Sequence, residues 1–253
     1  MQKFFIGLYH PNVACHFGRS IISVNALYRR QADFHPTEWI LDSGTFSQIF
    51  QHGCHTLSAE AYLRQIERWN RCGNLLAAVC QDWMCEPWIL AKTKKTVREH
   101  QLLTVQSYLL LRSRASVPIM PVLQGFAPSD YVAHLDLYGP FLTDNHWVGV
   151  GSVCRRNANP DAIEDVLLAI VQCRSGLRLH GFGLKLLALK RSTVRTLLYS
   201  SDSMAWSFGA RKVSRRTGRS INRLAAARAY VSKVEAICQP EPERSIQLQL
   251  LAL

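Results

Sequence analysis

The amino-acid sequence predicts an α/β protein built as a TIM-type (β/α)8 barrel. Short apolar runs alternate with helix-like stretches along most of the chain, which indicates parallel strands joined by helical crossovers. Polar or glycine residues follow strand after strand, and 253 residues suit one compact barrel. A hydrophobic content of 48% is enough to build a substantial core.

Seven apolar runs are candidate strands, because each is short and is followed by a turn-like segment. They cover residues 4–8, 39–41, 75–79, 119–123, 147–150, 177–182 and 196–199. This number fits an eight-stranded barrel with one strand missed, or a doubly wound sheet with one strand too many.

Helix-like stretches lie between these runs, at residues 58–71, 91–112, 129–137, 160–173 and 184–195. In the first of them, Leu63, Ile66 and Trp69 recur every three residues and share one helix face. Pro160 followed by Asp161 is typical of a helix start. We also expect a helix over residues 217–233. The predicted organisation is a catalytic barrel at residues 1–212, with a basic C-terminal helix and tail at 213–253 packed on it.

The residues that follow the strands favour the barrel over the open sheet. Asp42, Asp82, Gln124, Gly151 and Asp202 each stand at or just beyond the carboxyl end of a predicted strand. In a barrel these ends meet at one mouth, where active sites form. In an open sheet only the two strands at the switch point would converge.

The chain is basic, with 30 Lys and Arg against 18 Asp and Glu and a formal net charge of +12. Such a surplus indicates a polyanionic partner, either nucleic acid or an anionic membrane. Residues 208–233 contain eight cations and no acid, so a phosphate backbone would supply their counter-charge. A solvated basic face is the alternative. The apolar runs are too short to span a bilayer, and we expect a cytoplasmic protein without a membrane partner.

Asp42, Asp82 and Asp202 are the candidate catalytic residues. A carboxylate pair at a sugar carbon can supply a nucleophile and a general acid/base. Each Asp could instead cap a helix or a turn. Gln124 and the glycines at 149 and 151 suit a flat heterocycle, because an amide both donates and accepts and glycine permits close backbone approach. Turn geometry is their alternative explanation.

A metal centre is not expected. The tract His52-Gly53-Cys54-His55 and the pair Cys80 and Cys85 do not complete a familiar zinc pattern. The eight cysteines include no Cys-x-x-Cys pair, which favours reduced thiols. We therefore predict neither a bound metal nor a cofactor.

Taken in order, six short motifs resemble the tRNA-guanine transglycosylase superfamily, and they extend over most of residues 4–212. They are Asp42-Ser43-Gly44-Thr45-Phe46, Gln81-Asp82, Val122-Leu123-Gln124-Gly125, Gly149-Val150-Gly151, His180-Gly181-Phe182-Gly183 and Ser201-Asp202-Ser203-Met204. The run at residues 201–211 looks closer to the DpdA-type 7-deazaguanine DNA transglycosylases. The zinc-binding Cys-x-Cys-x-x-Cys cluster of the tRNA enzymes has no counterpart after Asp202, where Cys238 is the only cysteine.

The resemblance implies a barrel enzyme that exchanges guanine for a 7-deazaguanine. By position, Asp202 would be the nucleophile and Asp42 the general acid/base. Base binding would fall to Asp82, Gln124, Gly125, Gly149, Gly151, Phe46, Ser43 and Phe182, with Phe46 stacking on the base. Thr45 and Ser47 depart from the pattern of the tRNA enzymes, so the assignment of Asp42 depends on Asp42-Ser43-Gly44.

The implied substrates are DNA and a free 7-deazaguanine base, 7-cyano-7-deazaguanine or a derivative. We expect DNA contacts from Arg211, Lys212, Arg215, Arg216, Arg219 and Arg223. Related cellular systems imply an ATP-hydrolysing partner protein, and the chain would come from a bacterium or a phage. Two alternatives stay open: the same chemistry on tRNA, and a non-catalytic nucleic-acid-binding barrel subunit.

Overall fold

A computed structural model describes residues 2–218 and 220–239 of the chain. Its strands are all parallel to their neighbours and form one sheet. They are β1 (Lys3–Leu8), β2 (Arg19–Ser23), β3 (Glu38–Asp42), β4 (Asn74–Val79), β5 (Ile119–Met120), β6 (Val122–Leu123), β7 (Trp147–Val150), β8 (Arg178–Gly181) and β9 (Ser200–Ser203).

The sheet curves into a barrel with eight strand positions. The order of the nine strands is β5-β4-β3-β2-β1-β9-β8-β7-β6. The two terminal strands, β5 and β6, are separated in the chain by Pro121 alone, so they form one strand position that meets both β4 and β7. Proline has no backbone N–H, which explains the interruption. The predicted TIM-type barrel is confirmed.

Helices follow the strands along the chain, and two of them come after the last strand. They are α1 (Val24–Leu27), α2 (Thr45–His52), α3 (Ala59–Asn70), α4 (Pro87–Thr93), α5 (Val97–Arg112), α6 (Pro128–Tyr138), α7 (Pro160–Cys173), α8 (Leu186–Lys190), α9 (Ser192–Leu197), α10 (Ala205–Thr217) and α11 (Arg223–Cys238). Short 3-10 helices span Pro11–His16, Gly139–Phe141 and Val153–Arg156. Within the described residues, no helix is both long and apolar enough to cross a membrane.

The helix α3 shows how the apolar pattern fixes an element. Ser58 caps its start by accepting a hydrogen bond from the Ala61 N–H at 3.2 Å. The predicted face of Leu63, Ile66 and Trp69 is buried against the barrel. The spacing of the apolar residues and the N-terminal cap therefore predict the same helix that is observed packed against the barrel.

Two strand predictions need correction. The strand β2 is not among the seven candidate strands, although an eight-stranded barrel with one strand missed was one of the two predicted arrangements. The predicted strand at residues 196–199 is wrong, because α9 continues to Leu197 and the strand is Ser200–Ser203. That strand contains no apolar side chain, so a search for apolar runs cannot find it.

Three helix predictions were also wrong in detail. Residues 91–112 form two helices, because Lys94 is left-handed and Thr96 starts α5 with a capping box to Glu99. Residues 184–195 are divided between α8 and α9 by the extended backbone of Arg191. The helix predicted over residues 217–233 is interrupted, since α10 ends at left-handed Gly218.

The helix α11 packs on the barrel through Ala227, Tyr230 and Val234, which are buried. The Tyr230 hydroxyl donates to Ser203 Oγ at 3.1 Å and joins this helix to β9. The helix α10 runs across the boundary expected at residue 212, and the division into two units stays a prediction. The tail at residues 240–253 lies outside the described residues.

Candidate active site

The structure brings three aspartates to the carboxyl ends of the strands. Asp42 ends β3, Asp82 follows β4, and Asp202 lies in β9. Their charges are coupled: Asp202 acts on the pKa of Asp42, and Asp42 acts on the pKa of Asp82. The mouth of the barrel therefore holds one group of interacting carboxylates.

The Asp202 carboxylate is held by two donors on neighbouring elements. Its Oδ1 atom accepts the Gly183 N–H at 3.0 Å and lies 3.3 Å from Nε2 of His180. The side chain is 12% exposed, so the group is confined but still reachable from the mouth. These contacts aim the carboxylate without enclosing it completely.

His180 belongs to a buried hydrogen-bonded chain that extends below Asp202. Its Nδ1 lies 2.8 Å from Ser200 Oγ, which accepts the Trp147 indole N–H at 2.7 Å. An ionised carboxylate can only accept, so a neutral His180 must carry its proton on Nε2. Ser200 then donates to Nδ1, and Trp147, Ser200 and His180 form a continuous relay of donors ending at Asp202.

Asp42, at the end of β3, is a carboxylate with a raised pKa. Burial raises the pKa of Asp42 to about 6, and the negative charge of Asp202 acts in the same direction. The Gly44 N–H, which donates to Asp42 Oδ2 at 3.1 Å, and the Ser23 hydroxyl counteract this rise. Asp42 can thus exchange a proton near neutral pH.

Asp82 and Gln124 form a polar pair across the β4 and β6 strand ends. Burial raises the pKa of Asp82 to about 7, although hydrogen bonds from Gln124 and Thr45 oppose the rise. Gln124 Nε2 donates to Asp82 Oδ2, and Gln124 Oε1 accepts the Ser152 hydroxyl at 2.9 Å. Ser152 is held in a left-handed conformation, with a φ of 60°. The pair offers carboxylate and amide groups together to a flat polar ligand.

Two glycines permit close packing beside this pair. A Cβ on Gly149 would lie 2.3 Å from Phe182 Cε2, and one on Gly151 would lie 2.2 Å from Gln124 Nε2. Larger residues would therefore displace side chains that define the site. Gly125 is buried against Asp130 and Tyr131, at the start of α6.

Ser43 and Phe46 differ in their exposure to solvent. Ser43 is buried, and its hydroxyl lies 2.9 Å from that of Thr45. Phe46 is 42% exposed on α2 and stacks on Phe50 with ring centroids 6.0 Å apart. The base-binding roles of all these residues stay predictions.

The basic residues predicted to contact DNA are exposed on α10 and at the start of α11; they are Arg211, Lys212, Arg215, Arg216 and Arg223. The guanidinium of Arg211 lies 4.5 Å from the ring centroid of Phe208. Arg223 Nη1 lies 2.8 Å from His10 Nε2. Arg219 lies outside the described residues. The helix α10 begins just after Asp202, so its first turn adjoins the mouth.

The sequence analysis missed several residues that organise the site. Gln48 Nε2 donates to Asn25 Oδ1 and to the Ser43 carbonyl, and its Oε1 accepts the Thr56 N–H. Asn25 follows the missed strand β2, so its link to the Asp42 loop was invisible. The relay residues Trp147, Ser200 and His180 received no role either. A search for polar residues inside strands would have found Ser200.

No group of three or more His, Cys, Asp or Glu side chains is arranged to hold a metal ion within residues 2–218 and 220–239. The tract His52-Gly53-Cys54-His55 therefore offers no such cluster among these residues.

The family model DpdA, described as DeoxyPurine in DNA protein A, matches residues 1–231. The chain belongs to this family. No curated protein matches the sequence. The DpdA match runs from β1 into α11 and includes all three site aspartates. The resemblance inferred from the motifs is thereby confirmed, and family membership supports a DNA transglycosylase related to 7-deazaguanine.

Proposed function

We propose that this DpdA-family chain replaces guanine in DNA with a 7-deazaguanine through a covalent intermediate on Asp202. The observation that carries the proposal is the setting of the Asp202 carboxylate. The Gly183 N–H and His180 hold it at a shared mouth with Asp42, whose pKa burial raises to about 6. This combines an aimed carboxylate with a neighbouring group suited to proton transfer.

In the first half-reaction, an Asp202 oxygen attacks C1′ of a deoxyguanosine while the bond from C1′ to N9 breaks. The bond electrons leave with guanine, which takes a proton from the acid form of Asp42. The transition state resembles an oxocarbenium ion, so the negative charge of Asp202 stabilises it. The product is a glycosyl ester on Asp202 and a free guanine.

In the second half-reaction, the Asp42 carboxylate takes the N9 proton of a 7-deazaguanine. N9 attacks C1′, the ester bond breaks, and Asp202 leaves as a carboxylate. Two inversions give net retention at C1′. Asp42 recovers the proton that it gave to guanine, so the enzyme returns to its starting state.

The ring topology supports a division of labour between base and sugar binding. β4 and β9 are four positions apart in a ring of eight, so Asp82 and Asp202 lie on opposite sides of the mouth. A guanine held at Asp82 and Gln124 would direct its sugar toward Asp202. The Asp82 carboxyl oxygens would accept from donor groups on the base edge, and the Gln124 amide would donate to the carbonyl.

DNA would have to present the target base outside the helical stack, at a cost of a few kcal/mol. Exposed cations on α10 and α11 would offset part of this cost through phosphate contacts. Arg215 and Arg216 are suited to this role. Replacing both with Ala should weaken DNA binding and flatten its salt dependence, whereas an unchanged salt slope would refute the assignment.

The direct test supplies labelled 7-cyano-7-deazaguanine together with duplex DNA or tRNA in separate reactions. We expect label in DNA from the wild type and none from Asp202→Asn. Label in tRNA alone would refute DNA as the substrate and keep the chemistry. Label from Asp202→Asn equal to the wild type would refute the nucleophile assignment.

A further inference from the structure

A group of exposed aromatic side chains stands at the edge of the mouth. Phe46 and Phe50 on α2 are 42% and 49% exposed, and Trp88 on α4 is 39% exposed. The Phe50 and Trp88 rings meet edge to face with centroids 5.4 Å apart. The guanidinium of Arg155 lies 4.8 Å from the centroid of Phe46 and 5.2 Å from that of Trp88. We call Phe46, Phe50, Trp88 and Arg155 the rim cluster.

The rim cluster lies at the mouth because each of its elements follows a strand. The helix α2 follows β3, α4 follows the loop after β4, and Arg155 follows β7. Its members also adjoin the base-binding side of the proposed site. Phe46 is four residues after Asp42, and Arg155 is three residues after Ser152, which donates to Gln124.

The segments that carry the rim cluster are cationic. Residues 45–59, 87–96 and 153–160 contain five Lys or Arg and no Asp or Glu; the cations are Lys92, Lys94, Lys95, Arg155 and Arg156. Glu86 lies nearby but is only 2% exposed, and burial raises its pKa. Electrostatics at this edge therefore favours a polyanion.

Exposed aromatic rings beside guanidinium groups match the chemistry of unpaired nucleotides. A base face can stack on a ring while its phosphate meets a cation, and this combination is typical of single-strand binding surfaces. Paired duplex DNA hides its base faces inside the stack. The rim cluster thus offers far more to an opened strand than to a closed duplex.

We infer that the rim cluster binds unpaired nucleotides of the DNA strand, next to the target guanine. The inference rests on the proposed function, which requires that guanine leave the stack and enter the mouth. Stacking of the flanking bases on Phe50 and Trp88 stabilises the opened strand, and Arg155 contacts its backbone. The enzyme would then capture locally opened DNA in preference to closed duplex.

The test measures the binding of three labelled DNAs by fluorescence anisotropy: a single strand, its paired duplex, and the duplex with a mismatched central stretch. The variants are Phe50→Ala, Trp88→Ala and Arg155→Ala. The matched control is Phe141→Ala, because Phe141 is also 39% exposed but precedes β7 at the opposite end of the barrel. Arg114→Ala, before β5 at that same end, is the control for charge.

We expect Phe50→Ala and Trp88→Ala each to weaken binding of the single strand and the mismatched duplex about tenfold. Binding of the paired duplex should change little. Arg155→Ala should lower the salt slope by about one. The controls should bind like the wild type. Equal single-strand affinity in the wild type, Phe50→Ala and Trp88→Ala would overturn the inference, as would an equal loss in Phe141→Ala.

Base exchange on the mismatched duplex is measured separately, which distinguishes this inference from the proposed function. Exchange by the wild type, with single-strand affinity unchanged in the variants, would refute the rim cluster and keep the function. Weaker single-strand binding in the variants, with no exchange by the wild type, would support the surface and count against the function.

Discussion

Asp202 and the pair Asp42 and Asp82 occupy opposite arcs of one barrel mouth, and their neighbours differ. Asp202 accepts the Gly183 N–H and faces His180, which ends a relay of buried donors. Burial raises the pKa of Asp42 to about 6 and that of Asp82 to about 7. In the proposed mechanism, these environments suit Asp202 for attack, Asp42 for proton exchange and Asp82 for recognition.

This difference shows that carboxylates at similar places on different strands acquire different environments from the residues that fold around them. All three aspartates lie at or near strand ends, and the strand pattern by itself does not distinguish them. All three carboxylates accept hydrogen bonds, but burial raises the pKa of Asp42 and of Asp82. Substitutions at Asp202 and His180 alter one side of the mouth, and substitutions at Asp42 and Asp82 alter the other.

The largest effect is expected from Asp202→Asn. The amide nearly preserves the shape of the side chain but cannot act as the nucleophile, so exchange should fall by roughly 10⁴-fold or more. Denaturing gels of the protein with DNA should show no covalent adduct. Thermal melting serves as the control for folding. An adduct that persists in this variant would show that another residue attacks C1′.

Asp42→Asn should slow exchange by roughly 10²- to 10⁴-fold, because proton transfer to and from N9 loses its catalyst. Unlike Asp202→Asn, this variant should still form the covalent adduct, at a lower rate. Trapping the adduct over time in both variants compares the two sides directly. An adduct in Asp202→Asn and none in Asp42→Asn would reverse the two assignments.

Asp82→Asn should reduce the pH dependence of stability. The pKa of Asp82 rises from 3.8 to about 7 on folding, so its contribution to the free energy of unfolding is full below pH 3.8. That contribution is lost as pH rises through about 7. An asparagine does not titrate, so the stability of the variant lacks this dependence on pH. The free energy of unfolding of the variant, relative to that of the wild type, should therefore increase by about 2–3 kcal/mol from pH 5 to pH 8.

Urea unfolding at both pH values measures this difference. Asp136→Asn, on the exposed surface of α6, is the matched control and should follow the wild type. If Asp82→Asn shows the same pH dependence as the wild type, burial does not raise the pKa of Asp82.

His180→Phe should have the smallest of these effects, about 10- to 100-fold on kcat, since it removes one hydrogen bond to a charged group. KM for the free base should stay nearly constant if His180 acts by positioning Asp202, which it contacts, and does not hold the base. His180→Gln retains a side-chain N–H and should recover part of the loss. A change in KM with constant kcat would place His180 in base binding instead.

Some strands could be predicted from the sequence and others could not. The strands β1, β4 and β7 are short apolar runs, and their positions followed from composition and turns. Ser200–Ser203 was misplaced because its buried side chains are polar: Ser200 bonds to Trp147 and His180, and Ser203 bonds to Tyr230. Hydrogen bonding replaces hydrophobicity as the reason for burial there, and no apolar pattern reports it.

The residues of the candidate site also include some that could be predicted from the sequence and some that could not. Asp42, Asp82, Gln124 and Asp202 could be found because parallel strands of a barrel deliver their carboxyl ends to one mouth. The relay through His180 and the support of the Asp42 loop by Gln48 could not, since their partners are distant in the chain. His180 and Asp202 are 22 residues apart, and Gln48 and Asn25 are 23 residues apart.

The sequence by itself determined the alternation of strands and helices, the basic charge and the set of carboxylates at the strand ends. These properties are local, because they depend on side-chain type and on spacing along the chain. Tertiary structure alone decided which donors each carboxylate receives and how burial raises the pKa of Asp42 and Asp82. Those environments are made by residues from different strands, and they exist only once the barrel has closed.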